Sequence, residues 1–578
     1  MRYRWRDEGT TRLGRGANGE AIVAALLARR GFATPETIAA FLRPNPASLG
    51  DPHCLRDLDR ALARLAQAHQ RDESIAIWGD YDVDGLTSTA LLCRALGGMG
   101  FRVRPHIPHR ITNGYGLKEE GIDRLIAAGV TLIVAVDCGV SDREAIAHAR
   151  TRNVEVIVLD HHTIPPLLPE AVAVVNPRRT DCDYPFKDLA AVGVAYMLVR
   201  ALAAAGYQLH GQWDENEADL LDLLELVALG TVADVAPLHG ENRTLVTWGL
   251  QSLRHTTHPG LQALYAVAGI DPSRLTAWEI GHAIGPRLNA AGRIAAPTPA
   301  IELLLCDTPE RAMPLAQELD RLNRDRQKEL ARILGEATIQ IEATGVPDDT
   351  LPILQIDGVG WTAGVVGLVA GRLAERYGRP AIVLERGETV SRGSARSIDG
   401  FNVVEALHDC ADLLDHYGGH ARAAGLTIAN GRLAELRERL LVRARTHLRP
   451  DDLQPALAPD LDLALADLHY GTTTALAQLE PFGHGNPEPL LLVRDVTTKW
   501  AKASFDGRHL FFHAMAQHGE NVAGPLRCVA FGQGPRRAEL QAASRGRVDL
   551  LGTLRREWWQ GEERLAFHIR DWRLAIDD

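Results

Sequence analysis

Five aspartates in the sequence lie just after short apolar segments. They are Asp80, Asp82 and Asp84 in GDYDVDG, Asp137 in AVDCG, and Asp160 in VLDHH. The apolar segments cover residues 74–79, 131–136 and 154–159, and a fourth covers residues 102–107. Because these segments alternate with helix-like stretches, they predict a parallel sheet covered on both faces. Ligands bind beyond the carboxyl ends of such strands, so we expect the five carboxylates to converge in one cleft.

This carboxylate cluster predicts a metal site. No Lys or Arg lies inside the motifs, so a cation is the natural counter-charge for carboxylates that would otherwise repel one another. Asp234 in GTVADVAP could add a sixth carboxylate, and His161 and His162 follow Asp160. Carboxylates with imidazoles suit Mn²⁺ or Mg²⁺ better than zinc, for which Cys138 has no nearby partner cysteine. Two ions ~3.5–4 Å apart would clamp an in-line phosphoryl displacement, which predicts phosphoester hydrolysis.

Other functions of these motifs are excluded by residue type. The DxDxDG pattern also opens an EF-hand calcium loop, but that loop needs Glu at its twelfth position, where this chain has Leu91. A dinucleotide-dependent oxidoreductase is excluded because no GxGxxG follows a predicted strand. The seven cysteines include no CxxC pair, which excludes a disulfide framework and a zinc ribbon.

Length and charge indicate several domains with different surfaces. At ~150 residues per domain, 578 residues predict three or four domains, and 46% hydrophobic residues exclude a disordered chain. The net charge of −11 gives no support to nucleic-acid binding by the whole protein. Residues 499–573, however, carry 13 Lys/Arg against 8 Asp/Glu, a local +5 that leaves −16 elsewhere. With no apolar h-region in MRYRWRDEG and no apolar run near ~20 residues, we expect a cytoplasmic protein without membrane contact.

Composition and periodicity predict five segments along the chain. These are an N-terminal helical cap at 1–60, a first α/β domain at 61–270, connecting helices at 271–345, a smaller α/β domain at 346–448, and a Pro- and Asp-rich linker with a small β-barrel at 449–578. The barrel segment carries the aromatic residues Trp500, Phe505, Phe511, Phe512, Trp558, Trp559 and Trp572. Basic residues are interleaved with them: Lys499, Lys502, Arg508, Arg555 and Arg556. Aromatic faces beside cations suit sequence-tolerant single-strand binding, although we expect most of these rings to fill the barrel.

Several longer motifs resemble a known family. GDYDVDGLTSTALL, VDCGV, LDHH and LVALGTVADVAPL are similar, in family order, to the four motifs of the DHH phosphoesterase superfamily. GPRLNAAGR (285–293), GGHARAAG (418–425) and PFGHGNPEPLL (481–491) narrow the resemblance to its RecJ group, over residues 55–575. The resemblance implies a parallel-sheet DHH domain, a smaller DHHA1-like α/β domain and a C-terminal OB-like barrel. It also implies a two-metal exonuclease that degrades single-stranded DNA from 5′ to 3′ into mononucleotides.

The resemblance also implies roles for individual residues. Asp82 and Asp137 would hold one Mn²⁺ or Mg²⁺ ion, and Asp84, Asp137, His161 and Asp234 the second. Asp80 and Asp160 would be ligands or supports, and His162 would act near the scissile phosphate as an acid or electrostatic stabiliser. The substrate contacts would be Arg110, Arg287, Asn289, Arg293, Ser394, Arg396, Gly418, Gly419 and His420. An arginine fork grips phosphate in a bidentate way, although a surface ion pair is the alternative for each arginine.

Two departures from the family pattern and two other functions remain open at this point. Thr362 replaces a family His, and Ala395 replaces a family Gly between Ser394 and Arg396. A small-substrate DHH phosphoesterase (an oligoribonuclease, a pyrophosphatase or a cyclic-dinucleotide phosphodiesterase) is the first alternative, and a non-catalytic replication scaffold is the second. The appended barrel argues against the small-substrate phosphoesterases, and the intact metal motifs argue against the scaffold. The expected partners are single-stranded DNA with a 5′ end and a single-strand-binding protein, with the chain as a monomer in recombination and repair.

Overall fold

A computed structural model describes residues 3–109, 114–209, 218–343, 351–516, 525–543 and 547–575. The chain forms two compact units. The larger unit comprises residues 44–449 and 483–486, and the smaller comprises residues 1–43, 450–482 and 487–578.

A five-stranded parallel sheet lies at the centre of the larger unit. In spatial order its strands are Arg102–His106, Ser74–Trp78, Leu132–Val136, Glu155–Leu159 and Ala173–Val175. The helices between and beside them are Leu58–Gln70, Val83–Gly98, Glu119–Ala127, Arg143–Thr151 and Ala191–Ala204. Every residue of Leu132–Val136 is buried, as expected for a central strand covered by helices on both faces. The predicted sheet is therefore present, with one further strand, Ala173–Val175.

A helical region follows the sheet in the same unit. Its helices are Ala218–Asp222, Leu224–Ala233, Gly240–Arg254, Pro259–Ala268, Ala277–Glu279, Gly285–Ile294, Thr298–Leu304 and Pro309–Ala343, with a π-helical turn at Ile280–Ile284. The first two of these helices, Ala218–Asp222 and Leu224–Ala233, are separated only by Leu223. The charged segment predicted to connect the domains is the 35-residue helix Pro309–Ala343.

The second α/β domain also belongs to the larger unit. Its sheet has the order Leu414–His420, Ala423–Ala429, Val390–Arg396, Ala381–Arg386, Leu354–Val359, in which only the last two strands pair in parallel. The accompanying helices are Ala363–Tyr377, Val403–His408 and Leu433–His447.

A closed barrel dominates the smaller unit. Its five strands are Leu491–Ala503, Leu510–Met515, Leu526–Ala530, Glu562–Leu574 and Val548–Trp559, and the first pairs with both the second and the last. The helices of this unit are Gly19–Arg29, Pro35–Leu42, Tyr470–Ala477 and Arg537–Ala543. Closure removes the free sheet edges that an open five-stranded sheet would expose.

The contacts divide the chain differently from the predicted N-terminal cap at 1–60 and linker at 449–460. Two short strands near the start pair in parallel with two later strands, one in the predicted linker and one just after it. Arg4–Trp5 pairs with Ala456–Leu457, and Thr11–Arg12 pairs with Leu461–Asp462. Residues 1–43 therefore belong with the barrel, and 44–60 with the first α/β domain. Among the described helices, none combines the length and apolarity that crossing a bilayer requires.

Candidate metal centre

The sheet order brings the predicted aspartates together. Strands Ser74–Trp78, Leu132–Val136 and Glu155–Leu159 are neighbours, so the segments that follow them meet at one edge. Three groups of side chains each have ligand atoms within 4.8 Å of one another: Asp80, Asp82 and Asp137; Asp84, His161 and Asp234; Asp137, His161 and His162. We call the six residues Asp80, Asp82, Asp84, Asp137, His161 and Asp234 the metal centre.

His161 lies in the middle of the metal centre. Its Nε2 is 3.2 Å from Asp137 Oδ1 and 3.8 Å from Asp84 Oδ2, and its Nδ1 is 3.8 Å from Asp234 Oδ2. Burial lowers the pKa of His161 to about 3, with a further contribution from the charge of His162. The imidazole is therefore neutral, and a neutral ring has a lone pair for a metal.

Helix N-termini hold two of the carboxylates in place. Asp82 caps the helix Val83–Gly98, and its Oδ1 accepts hydrogen bonds from the amides of Asp84 (3.0 Å) and Gly85 (3.2 Å). Both oxygens of Asp84 accept backbone hydrogen bonds from the start of Ala191–Ala204, at 2.8 and 2.9 Å. These amides offset part of the negative charge, because a helix N-terminus attracts anions.

Asp137 is held in an uncommon backbone conformation. Its φ is +58°, in the left-handed region that Asp and Asn tolerate better than most residues. The hydroxyl of Tyr115 donates a hydrogen bond of 3.0 Å to its carbonyl oxygen. Its side chain is 3% exposed and belongs to two of the three ligand groups. Asp137 is thus the carboxylate placed between the two halves of the metal centre.

Close backbone approach at two glycines makes this packing possible. A Cβ on Gly85 would lie 2.5 Å from the Asp80 amide nitrogen, and a Cβ on Gly230 would lie 2.9 Å from Asp84 Oδ1. Gly230 belongs to the helix Leu224–Ala233, whose close approach brings Asp234 to the metal centre.

Three carboxyl groups of the metal centre, those of Asp84, Asp137 and Asp234, resist ionisation in the absence of metal. Burial, followed by the charge of Asp82, raises the pKa of Asp84 to about 7, and burial with the charge of Asp84 raises the pKa of Asp234 to about 8. Burial and four neighbouring carboxylates raise the pKa of Asp137 far above its usual range. Bound divalent cations would neutralise the mutual repulsion of these carboxylates, and a set of five carboxylates and one imidazole suits Mn²⁺ or Mg²⁺.

Asp160 and His162 form a pair beside the metal centre. Asp160 is fully buried and accepts hydrogen bonds from the amides of Val140, His161 and His162 and from His162 Nδ1, the last at 2.7 Å. Burial alone would raise the pKa of Asp160, but these hydrogen bonds and the charges of His162 and His161 lower it by more, so the pKa falls. Burial likewise opposes the charge of His162, yet Asp160 raises the pKa of His162 to about 9. His162 is thus an imidazolium at neutral pH, with Asp160 behind it as a positioning residue.

Three residues near the metal centre were missed by the sequence analysis. Tyr115 contacts Asp137 and lies 3.3 Å from His162 Nδ1. Asn176 donates a hydrogen bond of 3.0 Å to the His162 carbonyl and accepts one of 2.9 Å from the Arg178 amide. Asn176 and Arg178 follow the strand Ala173–Val175, so the strand-end rule that found Asp137 would have found them had the short segment AVV been recognised.

The helix Gly285–Ile294 carries three predicted substrate contacts: Arg287, Asn289 and Arg293. It packs against the segment that carries Asp80 and Asp82, since a Cβ on Gly292 would lie 2.9 Å from the Tyr81 carbonyl oxygen. Arg287 forms an ion pair of 3.0 Å with Asp320, the alternative considered for it. Asn289 is partly buried, and Arg293 donates to the Gly364 carbonyl at 3.3 Å. Arg110 lies outside the described residues.

The second α/β domain carries the other predicted contacts. Arg396 Nη1 donates a hydrogen bond of 2.7 Å to Ser394 Oγ, so these two side chains share one face of their strand. Gly418, Gly419 and His420 end the exposed edge strand Leu414–His420. Burial lowers the pKa of His420, with further contributions from Arg396, His162 and Arg178. His420 is therefore within electrostatic range of residues of both α/β domains.

Of the six named barrel rings whose burial is described, three are exposed, one is partly buried and two are buried, so fewer rings fill the barrel than expected. Phe512 and Trp572 are buried, whereas Trp500 and Phe505 are exposed, and both line a cavity of about 420 Å³ with Lys502, Phe511 and Arg527. Trp558 is half exposed, and the side chain of Trp559 is outside the described set.

Comparison with known proteins identifies the family. The model for the DHH family, N-terminal domain, matches residues 74–231, that for the DHHA1 domain 349–446, and that for the RecJ OB domain 459–571. The chain is 39% identical over 480 residues to the single-stranded-DNA-specific exonuclease RecJ of Dickeya dadantii, covering 81% of this chain and 82% of that protein. The chain belongs to the RecJ family. The RecJ of Bacillus subtilis is 36% identical over 553 residues, which are 95% of this chain and 67% of that protein.

Solved RecJ structures agree with this assignment. RecJ of Thermus thermophilus in complex with Mn²⁺ has a TM-score of 0.80 and 31% identity, covering all of this chain and 80% of that one. The complex of the same protein with Mg²⁺ has a TM-score of 0.75 and 30% identity, covering all of this chain and 79% of that one. The predicted DHH, DHHA1-like and OB-like fold class is thus confirmed.

The departures from the RecJ pattern have local structural consequences. Thr362 precedes the helix Ala363–Tyr377, and its hydroxyl donates a hydrogen bond of 2.8 Å to Glu329. Ala395 is fully buried, and alternation along the strand directs it away from the face of Ser394 and Arg396. The substitution at 395 therefore lies on the core side of the strand.

Proposed function

We propose that this chain is a divalent-metal-dependent exonuclease that hydrolyses single-stranded DNA from the 5′ end to mononucleotides, in recombination and repair. The observation that carries the proposal is the metal centre, with five carboxylates and a neutral imidazole at the carboxyl edge of a parallel sheet. Membership of the RecJ family supports the substrate, because the relatives are named single-stranded-DNA-specific exonucleases.

The donor set fits two ions, Mn²⁺ or Mg²⁺. Asp80, Asp82 and Asp137 would hold one, and Asp84, His161 and Asp234, with Asp137 shared, would hold the other. When bound, the ions supply positive charge to the attacking and leaving oxygens of the phosphodiester.

The residues beside the metal centre would stabilise and protonate the phosphate. Because Asp160 engages His162 Nδ1, the opposite nitrogen, Nε2, is the one that can donate to a phosphate oxygen or to the leaving oxygen. Asn176 fixes the main chain of His162, and Tyr115 fixes that of Asp137. These contacts orient the proton donor before the substrate arrives, which lowers the reorganisation needed during hydrolysis.

Phosphate and base contacts away from the metal centre would hold the strand. Ser394, Arg396 and the segment from Gly418 to His420 would bind the 5′ end, and the exposed rings of Trp500 and Phe505 would stack on bases further along. We also propose a cytoplasmic monomer that works with a single-strand-binding protein. Sedimentation of the chain alone and with such a protein tests both statements.

The test compares 5′-labelled and 3′-labelled single-stranded DNA, with duplex as a control, in Mn²⁺ and in chelator. We expect the 5′ label to leave at once as mononucleotide while the 3′-labelled strand shortens progressively, with duplex and chelator samples intact. Asp137→Asn is the matched inactive control, since Asn tolerates the left-handed backbone. Cleavage of dinucleotides or pyrophosphate with long strands left intact would favour a small-substrate phosphoesterase. Binding of DNA without hydrolysis would favour a scaffold.

A further inference from the structure

The main chain of one arginine outside the predicted set is joined to that of His162, beside the metal centre, through a buried amide side chain. Asn176 is fully buried at the carboxyl end of Ala173–Val175, the strand beside Glu155–Leu159. Its Nδ2 donates to the His162 carbonyl at 3.0 Å, and its Oδ1 accepts from the Arg178 amide at 2.9 Å. A single side chain therefore fixes the main chain of both His162 and Arg178.

The positive charge of Arg178 is only weakly neutralised by nearby carboxylates of the described residues. Within the described part of the chain its one ion pair joins Nη2 to Asp188 Oδ1 at 3.9 Å, and its side chain is 39% exposed. The next residue, Arg179, is buried and bonds to Asp57 and Asp181, both at 2.7 Å. Arg179 thus serves the fold, whereas the guanidinium of Arg178 keeps most of its donors for another acceptor.

The ion pair with Asp188 places the guanidinium of Arg178 beside the segment that leads into the metal centre. Asp188 lies three residues before Ala191, whose amide donates a hydrogen bond of 2.8 Å to Asp84 Oδ2. Burial lowers the pKa of His420, and the charges of Arg396, His162 and Arg178 lower it further. The guanidinium of Arg178 therefore lies next to the segment that holds Asp84 and within electrostatic range of His420.

We propose that Arg178 is a further substrate-binding residue, which contacts the phosphodiester at the metal centre. The inference rests on the proposed function and adds a contact to it. A phosphate needs donors on the oxygens that the ions leave uncovered, and a guanidinium supplies two in one plane. Arg178 also places a positive charge among carboxylates that would otherwise repel the DNA strand.

The test compares Arg178→Gln with the wild type and with Arg150→Gln. Arg150 is a matched control because it pairs with Glu170 on an exposed helix surface. With 5′-phosphorylated oligo(dT) in Mn²⁺, we expect kcat/KM to fall about 10- to 100-fold in Arg178→Gln, as for loss of a charged hydrogen bond, and to stay unchanged in the control. Mn²⁺ binding, followed by electron paramagnetic resonance, should be unchanged or tighter, since a neighbouring positive charge is removed.

Three results would overturn the inference. The first is an unchanged kcat/KM in Arg178→Gln. The second is a fall accompanied by weaker Mn²⁺ binding or a lower melting temperature, which would indicate a purely structural residue. The third concerns binding of the same oligonucleotide with Ca²⁺ in place of Mn²⁺, where equal affinity and equal salt dependence in both proteins would exclude a phosphate contact. A wild type that binds the strand without hydrolysing it would refute the proposed function alone, because the binding comparison still tests Arg178.

Discussion

Removing metal ions should destabilise this protein more as the pH rises. Asp84 is 1% exposed, and burial and the charge of Asp82 raise its pKa from 3.8 to about 7. A carboxyl group with a raised folded pKa gives stability that is fully present below 3.8 and is lost as the pH rises through 7. Between pH 5 and pH 7 the free energy of unfolding therefore falls by 1.36 kcal/mol for each of two pH units, or about 3 kcal/mol. Asp234, with a pKa of about 8, acts in the same direction.

Bound Mn²⁺ would replace the protons on Asp84 and Asp234, so the protein with metal would keep most of its stability as the pH rises. We therefore expect the free energy of unfolding in chelator, measured with urea, to fall by about 3 kcal/mol or more between pH 5 and pH 8 relative to the Mn²⁺ sample. The pKa of His161 is about 3, so His161 stays neutral throughout, and the change at His162, whose pKa is about 9, affects both samples. A Mn²⁺ stabilisation that is independent of pH, or larger at pH 5, would refute the reasoning.

Three substitutions test other parts of the site. Asp137→Asn should reduce turnover by at least about 10³-fold. It should also raise the metal-free melting temperature, because a neutral amide avoids the cost of keeping this buried carboxyl group protonated on folding; a lower metal-free melting temperature would contradict this. Asp160→Asn should lower the pKa of His162 from about 9, so the alkaline limb of the plot of kcat against pH should move to lower pH. If that limb does not move, His162 is not the proton donor in hydrolysis. Trp500→Ala should weaken binding of single-stranded oligonucleotides by about 1–3 kcal/mol in fluorescence anisotropy, and an unchanged affinity would place Trp500 away from the strand.

The central sheet was predictable because its strands are short, apolar and followed by chemically distinctive residues. The four predicted strands pair in parallel in one sheet, and the acidic ends of three of them meet as the strand-end rule requires. The three-residue strand Ala173–Val175 is too short for periodicity to reveal, so Asn176 and Arg178 were missed with it.

Pairings between distant segments are where sequence patterns fail. Strands of two residues, such as Arg4–Trp5 and Ala456–Leu457, have no detectable period, yet their parallel pairing assigns residues 1–43 to the barrel unit. A Pro- and Asp-rich composition predicts a linker at 449–460. Composition does not reveal that Arg4–Trp5, more than four hundred residues earlier in the chain, will supply hydrogen-bond partners for the backbone of Ala456–Leu457.

The arginines show most directly why residue type alone cannot assign a site. Arg178 and Arg179 are adjacent in NPRRTD, and nothing in the sequence distinguishes them. Among the described residues, Arg179 pairs with two carboxylates and Arg178 has one distant ion-pair partner, while Arg287, in a family motif, forms an ion pair of 3.0 Å with Asp320. A guanidinium can serve a fold or a phosphate, and which it serves depends on the carboxylates that the tertiary structure brings to it.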